Sequence, residues 1–89
     1  MIEKTILIKN RLGLHARAAV KFVNLANRFM SDVKIKKDGS EIDGKSILGI
    51  LTLAATQETV ITLIIEGDDE QAACRALGDL INNRFGEKE

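Results

Sequence analysis

Apolar and polar positions change period several times along this chain, and each change predicts an element. Residues Ile2 to Ile8 mix β-branched and polar side chains, which predicts a strand. Asn10 to Leu14 reads as a loop, with Gly13 free to take a backbone conformation closed to other residues. Ala19, Phe22, Val23, Ala26 and Phe29 then recur at helical spacing, with Lys21, Asn24 and Arg28 on the other side, so an amphipathic helix is expected over 16–29. In "VKIKKDGSEID", Val33 and Ile35 alternate with lysines, and Asp38-Gly39 is a two-residue hairpin turn from which the chain returns through Ile42. "KSILGILTLA" fits a short helix or a buried strand by periodicity alone. The Ser46 cap signal and the Ala54-Ala55 ending favour helix. "VITLIIE", 60–66, is the clearest strand, and its near-continuous apolarity suggests a central place in a sheet. Asp68, Asp69 and Glu70 put acid at the start of a last helix, where it suits the helix dipole. Ala73, Ala76, Leu77, Leu80 and Ile81 form that helix's apolar stripe, with Gly86 as its C-terminal stop and a frayed tail over 87–89.

The order is βαββαβα, which predicts an α+β fold: an antiparallel sheet with its helices on one face. At 89 residues the chain fits one domain, 1–89, without repeats or linkers. Charge changes the picture by exclusion. Thirteen basic and thirteen acidic residues cancel, so no global field draws nucleic acid or anionic lipid. Lysines 34, 36 and 37 are expected to form a solvated strand face and edge protection. A lone cysteine, Cys74, has no partner for an internal disulfide and reads as a small core residue, which favours a reducing compartment. With no signal-peptide pattern and no apolar run of membrane-spanning length, a cytoplasmic protein without membrane insertion is expected. The acidic residues form no recognisable metal loop, and nothing cradles a nucleotide or other cofactor.

Candidate chemistry concentrates in "GLHARAA", 13–19, which holds the only histidine. His15 occupies the position before the helix, where Ser, Thr, Asp or Asn would be a good cap. The N–H groups of the first turn are therefore poorly capped, and an oxyanion would satisfy them. The positive helix start and Arg17 both disfavour a protonated ring, leaving a ring nitrogen available as a nucleophile. Arg17 would neutralise a phosphoryl group and hydrogen-bond it as a fork. Absent such a role, a lone histidine at a helix start is a solvated or packing residue. No second acid or base lies nearby in sequence, so the chemistry expected is acceptance and hand-off, with catalysis supplied by partners.

A second stretch, "GKSILGIL", 44–51, begins its apolar run after Ser46. An N-cap hydroxyl explains Ser46 by itself; as a phosphosite it would set a dianion on a helix start. Ile47, Leu48 and Leu51 cannot all point inward from a surface helix, so part of them forms an exposed apolar patch of the kind that marks docking.

With "GLHAR" at 13–17 and "GKSILGI" at 44–50 at the family's separation, the chain resembles HPr, the histidine-containing phosphocarrier family of the bacterial phosphoenolpyruvate-dependent sugar phosphotransferase system. The resemblance runs from Ile2 to about Phe85. It implies an open-faced β-sandwich, with a four-stranded antiparallel sheet and three helices on one face. It further implies that His15 accepts the phosphoryl group through Nδ1, with Arg17 attending it. Phosphate would arrive from enzyme I and leave to IIA proteins or domains. Ser46 matches the serine modified by HPr kinase/phosphorylase, and Ala16, Ile47, Leu48 and Leu51 match the partner-docking surface. The family usually reads "HARP"; here Ala18 follows Arg17, which restores one backbone donor to the first turn. An alternative is a chiefly regulatory module of the same fold acting through Ser46 and its patch. A base-stacking RNA binder is disfavoured, because Phe22, Phe29 and Phe85 all fall in helical segments. Nothing in the sequence demands more than a monomer.

Overall fold

The chain, described from Met1 to Glu89 by a computed structural model, forms β1 (Ile2–Leu7), α1 (Ala16–Ala26), β2 (Asp32–Lys37), β3 (Ser40–Asp43), α2 (Ile47–Leu53), β4 (Val60–Glu66) and α3 (Glu70–Asn82). This is the predicted βαββαβα order. The strands make one antiparallel sheet in the order β1-β4-β2-β3, which gives β4 its expected internal place. Alternation along β4 buries Ile61, Leu63 and Ile65 under the helices. Register sets Ile6 beside Ile61, and Val33 and Ile35 beside Ile65 and Leu63, so one face of the sheet is apolar across the three adjacent strands β1, β4 and β2. The other face has no helix. There Lys34 faces Asp43 and Lys36 faces Glu41 across β2 and β3, opposite charges at positions where like charges would repel.

β2 is internal and the edges are β1 and β3, so the lysines do not protect an edge. Lys34 and Lys36 are solvated as expected, but Lys37 donates from Nζ to the Leu53 carbonyl at 3.0 Å, satisfying an end carbonyl of α2. The Asp38-Gly39 turn has φ of +50° and +85°, the left-handed pair that a tight hairpin needs.

α1 stops at Ala26, short of the expected Phe29. Arg28 and Phe29 donate to carbonyls three residues back, tightening the last turn. The next donors then leave the helix for Asp69: its carboxylate accepts from Met30 N–H at 2.8 Å, Ser31 N–H at 3.0 Å and the Ser31 hydroxyl at 2.5 Å. Asp69 is also the N-cap residue of α3, yet its side chain makes no cap bond there. Its charge ties the α1–β2 turn to α3, a role its place in an acidic helix start concealed. Gly67, at φ +155°, completes the joint, since a Cβ would lie 2.5 Å from the Ser31 hydroxyl oxygen.

α3 ends at Asn82, before the expected glycine stop. Arg84, Phe85 and Gly86 follow with φ of +55°, +55° and +76°, so Gly86 closes a left-handed turn beyond the helix. This turn folds the chain back and buries Phe85 completely. Burying a phenylalanine contributes about 2–3 kcal/mol, enough to hold a short polar tail against the body where fraying was expected.

The three bonds to Asp69, led by the Ser31 hydroxyl and then the Met30 N–H, outweigh burial and hold its carboxyl below the ordinary carboxylate range. A folded-state pKa below the unfolded one stabilises at neutral pH and is lost as pH falls through the folded value. Ser31→Ala should lower unfolding free energy by about 1 kcal/mol at pH 7. Asp69→Asn should flatten the acid limb of stability against pH in denaturant titrations. An unchanged limb would mean that the joint adds nothing.

Candidate functional site

The loop between β1 and α1 determines where His15 stands. Leu14 donates its N–H to the Ala55 carbonyl at 2.9 Å. Gly13, at φ +67°, lies so near that a Cβ would sit 2.3 Å from the same oxygen. Asn10, fully buried, donates from Nδ2 to the Gly13 carbonyl at 2.8 Å and holds the loop from inside. Helix α1 then starts at Ala16 with His15 as its N-cap in extended conformation, and the imidazole makes no cap bond. The N–H groups of Ala16, Arg17 and Ala18 have no protein acceptor, as expected for an uncapped start; Ala18 contributes one of these donors.

The returning tail completes the site. Glu87 spans two partners: Oε1 accepts from Asn10 Nδ2 at 2.9 Å, and Oε2 meets His15 Nε2. His15 is 22% exposed and Glu87 14%. Burial is the largest single influence on the Glu87 carboxyl and opposes its ionisation. The Asn10 bond, the His15 bond and the charges of His15 and Arg17 together prevail and lower its pKa. Lys21 donates from Nζ to the Phe85 carbonyl at 2.7 Å, and Arg11 donates to the Glu89 carboxylate at 2.6 Å, so both flanks of the tail are tied. Between α1 and the tail lies an open cavity of about 340 Å³ whose lining includes Arg11, Arg17 and Lys21. The site thus presents a histidine with one ring nitrogen engaged, free backbone donors and several cations.

Arg17 is exposed and makes no side-chain bond, leaving its fork available to an incoming anion. Ala16 is exposed beside it. Ser46 is the N-cap of α2, accepting from Gly49 N–H at 3.0 Å. Ile50 and Leu53 face the core, whereas Ile47, Leu48 and Leu51 are 39%, 73% and 37% exposed, so the apolar patch exists. α2 packs on α1, and the chain just beyond α2 is bound to the loop before His15 through Ala55. The loop that places His15 and the helix that carries the patch are therefore tied to each other.

Asn10 and Glu87 are the two participants that sequence reasoning missed. Asn10 reads as an ordinary loop residue, and Glu87 as part of a polar tail. The available signal was Phe85, an apolar residue past the helix end that has to be buried somewhere.

Removing the Asn10 amide strips donors from two acceptors at once. Asn10→Ala should cost about 1–3 kcal/mol of stability. It should also speed amide exchange at Gly13 and Leu14 relative to the sheet; protection as in the unaltered protein would show that Asn10 does not hold the loop.

Residues 2–83 match the family profile described as "PTS HPr component phosphorylation site". The chain is 52% identical to the phosphocarrier protein HPr of Neisseria meningitidis over 89 residues, covering all of both. It superposes on the crystal structure of HPr from Thermoanaerobacter tengcongensis with a TM-score of 0.96 at 48% identity, again over the whole of both chains. Crh of Bacillus subtilis, a catabolite repression protein described as a domain-swapped dimer, matches at a TM-score of 0.77 and 40% identity over 94% of this chain and 97% of that one. No helix is long and apolar enough to cross a membrane. With four antiparallel strands, three helices on one face, and these matches along its length, the chain belongs to the HPr family of phosphotransferase-system phosphocarrier proteins.

Proposed function

We propose that this protein is a cytoplasmic phosphoryl carrier, loaded on His15 by phospho-enzyme I and unloaded by a IIA protein or domain. The observation that carries the reading is His15 at an uncapped helix start with free first-turn N–H groups and an unpaired Arg17 beside it. In the loading step the lone pair of the His15 nitrogen forms a bond to phosphorus. The donor's bond to phosphorus breaks, and its electron pair returns to the donor. Arg17 and the backbone N–H groups meet the phosphoryl oxygens, where charge-assisted bonds are strongest. Catalytic power beyond this comes from the partners, so the protein is a carrier and not an enzyme in its own right.

Ala16 and the patch of Ile47, Leu48 and Leu51 serve as the docking surface for those partners. Ser46 is the regulatory phosphosite for a kinase/phosphorylase, where the host has one. A phosphate there exchanges a neutral cap hydroxyl for a dianion at the edge of an apolar patch. The patch then resists desolvation, and docking weakens.

³¹P NMR of the protein with phosphoenolpyruvate, magnesium and enzyme I should show an acid-labile phosphohistidine that His15→Ala lacks. Uptake by the His15→Ala protein would sink the carrier reading. Arg17→Ala should reduce the rate by about 10–100-fold, the kinetic equivalent of a lost charge-assisted pair of bonds. Ser46→Asp should raise the KM for loading by enzyme I while the variant remains folded; an unchanged KM would separate Ser46 from docking.

A further inference from the structure

We propose that Glu87, held by Asn10, is a positioning residue that keeps the His15 ring in the tautomer competent for phosphoryl transfer, with the proton on Nε2 and the lone pair on Nδ1. This rests on the carrier function proposed above. The geometry leaves little choice of proton placement. One Glu87 oxygen faces His15 Nε2, and the ring makes no second hydrogen bond. The other oxygen accepts from Asn10 Nδ2 at 2.9 Å. That Asn10 atom also meets the Gly13 carbonyl, so an atom facing two acceptors must be the amide nitrogen. An ionised carboxylate can only accept, so Nε2 donates. A neutral imidazole carries one N–H, and Nδ1 is left bare.

The consequence for transfer can be followed atom by atom. On loading, the Nδ1 lone pair forms the N–P bond while the donor's bond to phosphorus breaks and its pair returns to the donor. The Nε2 proton stays where it is, and the ring becomes cationic opposite the Glu87 carboxylate. On hand-off, the N–P electron pair returns to Nδ1 and the ring is neutral again. No proton enters or leaves in either direction. Glu87 steadies the loaded ring without touching phosphorus. Carboxylates fix histidine tautomers in this way in other active sites, through the nitrogen that does not react. The arrangement also accounts for an acidic side chain beside a site meant for a dianion: it engages the far ring nitrogen, while Arg17 is free for the phosphoryl group.

The decisive variant is Glu87→Gln, which preserves shape but has one acceptor where two donors must be met. Asn10 retains the glutamine carbonyl, so the glutamine NH₂ faces Nε2 and requires a lone pair there, driving the proton to Nδ1. Ring ¹⁵N NMR at a pH where imidazole is neutral should find the proton on Nε2 in the unaltered protein and largely on Nδ1 in the variant. Loading by phospho-enzyme I should fall by roughly tenfold or more in kcat, with KM little changed because the docking patch is untouched. Glu87→Asp, which keeps both acceptors, should restore the Nε2 proton and part of the rate. A Gln variant that keeps its proton on Nε2, or that loads within about twofold of the unaltered rate, overturns the proposal. Failure of the unaltered protein to take any phosphoryl group would overturn the carrier reading instead, while the ring spectrum would still judge the hold of Glu87 on His15.

Discussion

The sheet has two faces and the helices cover only one, and the rest of the structure follows from that constraint. Ile61, Leu63 and Ile65 must be buried together with Ile6, Val33 and Ile35, so all three helices lie on that side. Pairing of β1 with β4 extends past the regular ladder, through Ile8 N–H to the Thr59 carbonyl at 2.9 Å and Glu58 N–H to the Ile8 carbonyl at 2.7 Å. The segments that leave these two strands are therefore neighbours. Residues 10–14 come to rest on Ala55, and the start of α1 is set by a sheet register many residues away. A substitution that shifted β1 against β4 would misplace His15 without touching it.

The two ring nitrogens of His15 stand in different surroundings. Glu87 engages one ring nitrogen and no side chain engages the other, so one imidazole is held and still remains open. A carrier needs both properties, because whatever binds the phosphoryl group too well also retains it. Free backbone donors and an exposed arginine suit that condition: under the proposed function they would meet the phosphoryl oxygens at the surface, where solvent moderates each bond. A deeply buried oxyanion site would hold the group more tightly and pass it on more slowly.

Local signals were legible in the sequence, and remote ones were not. The helix-start positions of His15, Arg17 and Ser46 and the exposure of Ile47, Leu48 and Leu51 could be read because a helix start is written in a few consecutive residues. β4 could be assigned a central place from its apolarity, although Thr62 and Ile64 face the uncovered side and are only half-buried. The order of strands is not readable from the sequence, so edge protection is expected of lysines 34, 36 and 37 although the edges are β1 and β3. The spacing extends the expected α1 to Phe29 because Phe29 keeps helical spacing where the backbone is already turning toward Asp69. In each case the missing information is a partner from a distant part of the chain.

Asn10 and Glu87 carry that point to the site itself. His15 and Glu87 are 72 residues apart, and Asn10 and Glu87 are 77 apart. The cap of Ser46, by contrast, reaches only three residues. The Ser46 cap is made within one local segment, whereas the surroundings of His15 are assembled from both ends of the chain. Phe85 makes this possible: its burial anchors the tail, and two residues later Glu87 reaches the ring. The polar tail is ordered by the apolar residue before it, so the state of His15 depends on packing in the core beneath α1 and α3 as well as on the helix start it caps.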